Sequence, residues 1–326
     1  MLGLLAGAVA IPGEAFVNLL FNRAGTSSDE ILVQQIVLDI RLPRTLLVAF
    51  VGCLLAVSGA VMQGLFRNPL ADPSLIGVSA GASAGAATLI VLGDGFFMLQ
   101  AGNELAAISL VSLGAFIGGA LTVWLVYRLA TSATGTSVST MLLAGIAITA
   151  LAGSYSSLLE YLADNSMLRR ISLWRMGSFV SAKYYHVAIA AVLAVLLLLR
   201  LSRYASALNA LLLGESEARH LGVDVQRLKL GIIAWVALAV GVSVALAGAI
   251  AFVGLVVPHM VRLMVGPDHR NLIPLSALLG AVLLVLADSL SRTLIAPAEL
   301  PIGILTAATG APFFISLLRH RNQYGW

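Results

Sequence analysis

Arginines carry most of the chain's polar chemistry, since of its nineteen basic residues only Lys183 and Lys229 are lysines. Arg175 stands beside aromatic residues in Trp174-Arg-Met-Gly-Ser-Phe179. A guanidinium there can grip a carboxylate through its fork of donors, or simply anchor the chain at a membrane surface. Arg41-Leu-Pro-Arg44 and Arg292 of Asp288-Ser-Leu-Ser-Arg292 have two readings. They can receive acidic groups of an outside partner, or they can snorkel and, for Arg292, pair with Asp288 one turn earlier. In Leu213-Gly-Glu-Ser-Glu-Ala-Arg-His-Leu-Gly-Val-Asp224, Glu215 and Glu217 lead, Arg219 and His220 follow, and Gly222 closes. That order suits a short helix, with acids at its N-terminus, bases at its C-terminus and glycine just beyond. Leu213, Leu221 and Val223 give it an apolar side, so it reads as a solvated connector or as a knob for a cytoplasmic partner. No catalytic constellation and no metal site is assigned. Cys53 is the only cysteine, and the lysines follow Ala182 and Leu228 rather than glycine, so no phosphate-binding G-x-x-x-x-G-K-[ST] loop exists.

The elements that position these residues must be membrane-spanning. The chain is 60% hydrophobic and 10% charged, whereas a soluble domain carries about 25% charged residues. Apolar segments of spanning length lie near 45–66, 74–92, 105–127, 139–160, 185–201, 230–252 and 272–296, with shorter ones near 253–265 and 301–318. The runs are continuous rather than alternating, which makes the expected fold all-α. Met1 to Ile11 is apolar but too short to cross before Pro12-Gly13, and it lacks a signal-peptide pattern. It reads as the outer half of a truncated first span or as an interfacial segment. Alternation gives one set of loops eleven basic residues, including Arg67, Arg128, Arg219, Arg319 and Arg321. The other set has eight, including Arg23, Arg41, Arg44, Arg175 and Arg292, together with the acids Glu14, Asp29, Glu30, Asp94 and Glu104. The first set is therefore taken as cytoplasmic. Gly77, Gly81 and Gly85, like Gly114 and Gly118, recur at four-residue spacing, which lets helices approach closely in lipid; a smooth pore wall is the other reading. Asn68-Pro69 and Asp72-Pro73 predict a turn. Ala56-Val-Ser-Gly-Ala-Val61 echoes Ala245-Leu-Ala-Gly-Ala-Ile250, through an inverted repeat or by chance. Asp288 is nearly alone as an ionisable group inside the spans, so an ion-coupled carrier is disfavoured and a separate energy-supplying subunit is expected. No basic run points to nucleic acid.

Taken together the motifs resemble the FecCD-type permeases, the membrane subunits of type II ABC importers for vitamin B12, haem and ferric siderophores. The resemblance runs from about residue 36 onward, through Ile40-Arg-Leu-Pro-Arg-Thr45, Gly59 to Ala82, Leu213 to Val223, Gly248 to Arg262, Asp268-His-Arg270 and Glu299 to Pro312. It implies a single transmembrane domain over 1–326, with a cytoplasmic loop at 204–229. It also implies about ten spans per subunit, a homodimer with a central pathway, two cytoplasmic ATPases that carry the ATP and Mg, and a periplasmic binding protein. The setting is the bacterial inner membrane, and the chain itself is a transport subunit, not an enzyme, with no permanently bound cofactor. On that resemblance Gly214, Glu215, Ser216, Glu217, Ala218, Arg219, His220, Leu221 and Gly222 form the ATPase-coupling helix, and Arg41, Arg44 and Arg292 receive acids of the binding protein. Trp174, Arg175 and Met176 fall on the substrate pathway. Arg175 stands where B12 permeases have an apolar residue and resembles the haem permeases. Haem, with two propionates for one arginine from each protomer, is the expected substrate, ahead of ferric siderophore and cobalamin.

Overall fold

The computed structural model describes residues 2–5, 7, 28–96, 104–133 and 135–324, with side chains at 3–4, 7, 31–93, 110–133 and 135–316. Of the charges weighed for orientation, Glu14 and Arg23 lie outside the described residues, as do the side chains of Asp29, Glu30, Asp94, Glu104, Arg319 and Arg321. Most of the first eleven residues lie outside as well. Helix α1 (Ser28–Gln35) runs through a π turn (Ile36–Arg41) into α2 (Leu42–Leu65). A 3-10 turn (Pro73–Ile76) leads to α3 (Val78–Phe96), and α4 (Glu104–Ala130) follows. A two-residue hairpin pairs Thr131–Ser132 with Gly135–Thr136 before α5 (Val138–Leu162). Next come α6 (Asn165–Met176), α7 (Tyr184–Arg203), α8 (Ala205–Leu212) and α9 (Glu215–His220). The chain closes with α10 (Val225–Ala247), α11 (Val253–Val265), α12 (His269–Ser291) and α13 (Ile302–Tyr324).

Among the described residues six helical stretches are long and apolar enough to span a bilayer, and three shorter apolar helices cover Val78–Gly93, Val253–Val265 and Ile302–Ser316. These nine coincide with the nine apolar segments of the sequence. The first of the six is longer than expected, because helix continues outward from Leu65 to Ile31. Arg41-Leu-Pro-Arg44 therefore lies within a helix rather than just outside one. The π turn makes this possible: it ends where Pro43, which has no N–H to give, enters the first turn of α2. The 204–229 segment is also more ordered than a loop, since it holds α8, α9 and the first turn of α10.

Helix α2 is the hub, packed by α7, α10, α11 and α12. It is apolar all round and 78% of its apolar window is buried, as such a helix must be. Glycines set its contacts: a Cβ on Gly52 would collide with the Gly280 carbonyl, and one on Gly59 with the Gly254 carbonyl. Helices α3 and α4 meet in the same way, Gly81 and Gly85 lying against Gly114 and Gly118, which is the close-packing reading of that spacing. Gly77 does a further job. At φ +78° it ends the 3-10 turn, a conformation that disfavours any Cβ. By contrast α5 has only 17% of its window buried. Its packing partners lie mainly on α3, α4 and the 3-10 turn.

The loops assigned to each side by alternation do meet at opposite ends. Arg44, Asp288 and Glu299 gather at one end, and Thr136, Glu215 and Lys229 at the other; these are called outer and inner below. Asn68 and Asp72 act as expected in the turn, accepting the backbone N–H groups of Leu70 and Ser74. The two echoing segments differ in structure. Ala56–Val61 is mid-helix, whereas Ala245–Ile250 straddles the stop of α10 at Gly248, φ +73°.

Candidate functional site

The break between α10 and α11 is the centre of the site. A spanning run ordinarily satisfies its backbone within the helix, yet here it stops at Ala247 and resumes at Val253 through Phe252 at φ +69°. The freed Ala247 carbonyl finds a partner just beyond α6: it accepts Ser178 N–H at 2.8 Å. Gly177, φ +75°, ends α6 against Ala247 and Ala249 and leaves no room for a side chain. Its carbonyl accepts Ile302 N–H at 3.3 Å, which seats the start of α13. One tight junction thus fixes the end of α6, the α10 break and the α13 N-terminus.

The junction walls a cavity of about 580 Å³ whose lining includes Asp72, Ser74, Arg175, Met176, Ala249–Phe252 and Gly303. That volume falls in the range of small-molecule sites, roughly 300–1,000 Å³. Arg175 lies in the last turn of α6, where a cation is favoured by the helix dipole. It is half exposed and donates to Glu160 Oε1 of α5 at 2.7 Å. Asp164 caps α6 at the other end, and the backbone N–H of Met167 holds its carboxylate below the usual range, with the Ser166 hydroxyl assisting. Of the three pathway candidates, Arg175 and Met176 line this cavity. Trp174 instead lines a separate cavity of about 420 Å³ with Arg170. Successive helical residues are turned about 100° from one another, and that turn carries Trp174 away from the face that holds Arg175. His186 packs against Tyr185, and His259 against Phe313 and Phe314, outside the large cavity. Among the described residues no three His, Cys, Asp or Glu side chains gather where a metal ion would need them.

At the outer end Arg41, Arg44 and Arg292 are brought together but buried. Arg44 donates from Nε and Nη2 to Asp288 Oδ1 at 3.0 and 2.8 Å, and from Nη1 to both Glu299 oxygens at 2.9 Å. Asp288 Oδ2 meets Arg292 Nε at 3.0 Å, the one-turn pair read from the sequence. Arg41 donates to Leu4 O and Arg292 to Gly3 O. These arginines are therefore not bare surface charges, because intrachain acceptors already hold them. Glu299, at 39% side-chain exposure, is the accessible member, and it lines a cavity of about 240 Å³ with Arg44 and Asp288. Nothing in the sequence signalled that Glu299 and Arg44 meet.

At the inner end Gly214–Gly222 forms a short exposed helix with only Ala218 fully buried. Gly222 N–H bonds to Arg219 O and Val223 N–H to Ala218 O, the paired C-terminal bonds that glycine makes possible at φ +83°. Ser216, Glu217, Arg219, His220 and Leu221 face solvent. Glu215 turns back to Lys229, which the sequence reading passed over. Beside it Asn209 bonds to Asp268 and to the His269 backbone, tying α8 to α12. The Arg270 backbone N–H, with the Asn209 amide, holds the Asp268 carboxylate below its usual range.

Comparison with known proteins shows the family of the chain. The FecCD transport family matches residues 1–320, so the likeness also covers the segment before residue 36. A hemin transport system permease protein of Yersinia pestis, HmuU, is 44% identical, covering 94% of this chain and 90% of its own. The cobalamin import system permease protein BtuC of Halobacterium salinarum is also 44% identical, covering 89% and 74%. A solved inward-facing conformation of a metal-chelate type ABC transporter superposes with TM-score 0.80 at 32% identity, covering 94% of this chain and 98% of its own. The chain belongs to the FecCD transport family and is an ABC-transporter permease.

Proposed function

We propose that this permease moves haem from a periplasmic binding protein across the bacterial inner membrane, as one half of a homodimer driven by two cytoplasmic ATPases. Arg175 carries the substrate reading: it is a half-exposed guanidinium on the wall of the cavity of about 580 Å³, paired with Glu160. A haem propionate can exchange for that carboxylate, and a second protomer supplies a second arginine for the second propionate. The equal identity to hemin and cobalamin permeases leaves overall similarity unable to choose, so a residue in the cavity has to. Ferric siderophore and cobalamin are the competing substrates.

Binding-protein acids dock at the outer end around Arg41, Arg44 and Arg292, entering beside Glu299. ATP-driven closure of the ATPases displaces Gly214–Gly222, and the inward- and outward-open states exchange stability. The charge swap Glu217→Arg with Arg219→Glu disrupts assembly or transport; intact transport would remove the coupling role.

Proteoliposomes holding this chain with its ATPase and binding protein test the substrate. Haem, cobalamin and a ferric siderophore are compared for ATPase stimulation and uptake, in wild type and Arg175→Ala. Stimulation by haem alone, weakened by the substitution, supports the reading. Activity with another chelate and none with haem overturns the substrate while keeping the importer. Uptake that survives ATP depletion and collapses with the ion gradient would instead identify an ion-coupled carrier.

A further inference from the structure

Lys229 is a lysine where membrane proteins seldom place one. Its side chain is 2% exposed, near the start of α10, where Gln226 and Arg227 precede a long apolar run. Burying an ammonium is costly unless it is paired and hydrogen-bonded, and here both partners are found. Nζ lies 2.7 Å from Glu215 Oε1, in the first turn of the coupling helix, and donates to Thr136 O at 2.7 Å in the hairpin before α5. One turn earlier, Gln226 Oε1 accepts Thr136 N–H at 2.9 Å. Gly135 lies against the Gln226 amide at φ +116°, a conformation that residues with a side chain rarely adopt. The hairpin's last residue is thus held on both its N–H and its carbonyl by α10.

The chain of contacts continues inward. Ser137, next to Thr136, caps α5 by accepting Thr140 N–H. Gly145 of α5 lies directly on the Leu75 carbonyl, in the 3-10 turn whose Pro73 and Ser74 line the large cavity. Of the spanning helices, α5 has the smallest buried share, and its contacts are mainly with α3, α4 and the 3-10 turn.

We propose that Lys229 is a positioning residue that ties the coupling helix to α5, whose Gly145 backs the 3-10 turn of the cavity wall. Movement of Glu215 is then passed to Thr136 and α5 rather than lost in a flexible surface segment. This rests on the coupling role of Gly214–Gly222 proposed above, and adds the connection by which it reaches the pathway.

The test is the number of haemin molecules imported per ATP hydrolysed, in proteoliposomes of the full complex. Lys229→Met keeps the length and apolar stem but removes the charge and its donors, and should lower this ratio about tenfold while ATP hydrolysis continues. Glu215→Gln, on a one-third-exposed side chain, should lower it less, by about threefold. The double variant should be no worse than Lys229→Met alone, because both act through one contact. Lys229→Arg should recover much of the loss. A merely structural lysine predicts lower thermal stability and complex yield, with an unchanged ratio for every complex that assembles. That result overturns the proposal, and Glu215→Gln decides it if Lys229→Met fails to assemble. A wild-type complex that imports no haemin, cobalamin or ferric siderophore on ATP addition overturns the proposed function instead.

Discussion

Replacing Asp288 by asparagine tests whether the outer charge cluster is a dry, internally neutralised joint. The carboxylate is 2% exposed and receives three short contacts, from Arg44 Nε and Nη2 and from Arg292 Nε. Asparagine keeps the shape, loses the charge, and leaves two buried guanidiniums facing one another. Breaking a buried pair in this way costs about 3–5 kcal/mol. For a chain of this length that corresponds to a fall of roughly 4–7 °C in apparent Tm. Glu299→Gln removes the other carboxylate from Arg44, but Glu299 is 39% exposed and already partly hydrated. Its loss should cost about 1 kcal/mol or less, on the order of 2 °C. The assay is thermal unfolding of the purified chain in detergent, with both variants run at one scan rate because such transitions are seldom reversible. Arg44→Met combined with Asp288→Leu should cost less than the sum of the single changes, since removing both partners spares the orphaned charge. Equal small shifts for Asp288→Asn and Glu299→Gln would refute the reasoning, because they would mean that water reaches both carboxylates alike.

Glu299→Gln has a second expected outcome: if a docking acid must displace Glu299 from Arg44, binding-protein affinity rises in this variant, by about threefold to tenfold in a surface-binding measurement. Gly85→Val drives a side chain into the Gly114 carbonyl and should cost about 1–3 kcal/mol, whereas Gly153→Ala, with open space around it, should be neutral or stabilising; both are read by thermal unfolding. Gly222→Ala forces alanine to φ +83° at a cost of about 1–2 kcal/mol, and should lower coupled ATPase activity more than global stability. Asp268 is bound in the folded state by the Arg270 backbone N–H and by Asn209, so its folded pKa lies below the unfolded one. The cap therefore stabilises above the unfolded value of about 3.9 and is lost as pH falls through the folded value. Wild type should lose stability on acidification below about pH 4 more steeply than Asp268→Asn.

Local features were legible because local physics makes them. The apolar segments, the turn at Asn68 and Asp72, the charge order and glycine stop of the Glu215–His220 helix, and the Asp288–Arg292 pair all depend on residues a few positions apart. Contacts between distant residues were not legible. Arg44 and Asp288 are separated by 244 residues, and Lys229 and Thr136 by 93; no spacing rule joins them. The helix stop at Gly248 was hidden inside an unbroken apolar run from Ala245 to Ala251, with no proline and no polar residue to mark it. It appears only when Ser178 N–H is seen to satisfy the Ala247 carbonyl and Gly177 to pack against the break. The facing of Trp174 away from Arg175 follows from helix rotation, which a motif read as a string of neighbours conceals.

Exposure separates the arginines into two kinds, and this bears on how they work. Arg175 and Glu160 are 54% and 29% exposed. A pair so hydrated is worth about 1 kcal/mol or less, so an incoming carboxylate displaces Glu160 at little cost. Arg44 and Asp288 are 8% and 2% exposed, and no incoming acid can part them without meeting the several-kcal/mol penalty of a bare buried charge. Glu299 lies between, bound to the same guanidinium yet open to solvent on one side. A docking acid thus finds one exchangeable position on Arg44, not three free arginines. Arg175→Lys sharpens the same point for the cavity. Lysine keeps the charge but loses the planar fork, so a substrate carboxylate held in bidentate fashion should bind more weakly, whereas a mere surface anchor would work as well with either residue. Haem uptake unchanged by Arg175→Lys and by Arg175→Ala alike would leave Arg175 as an anchor paired to Glu160.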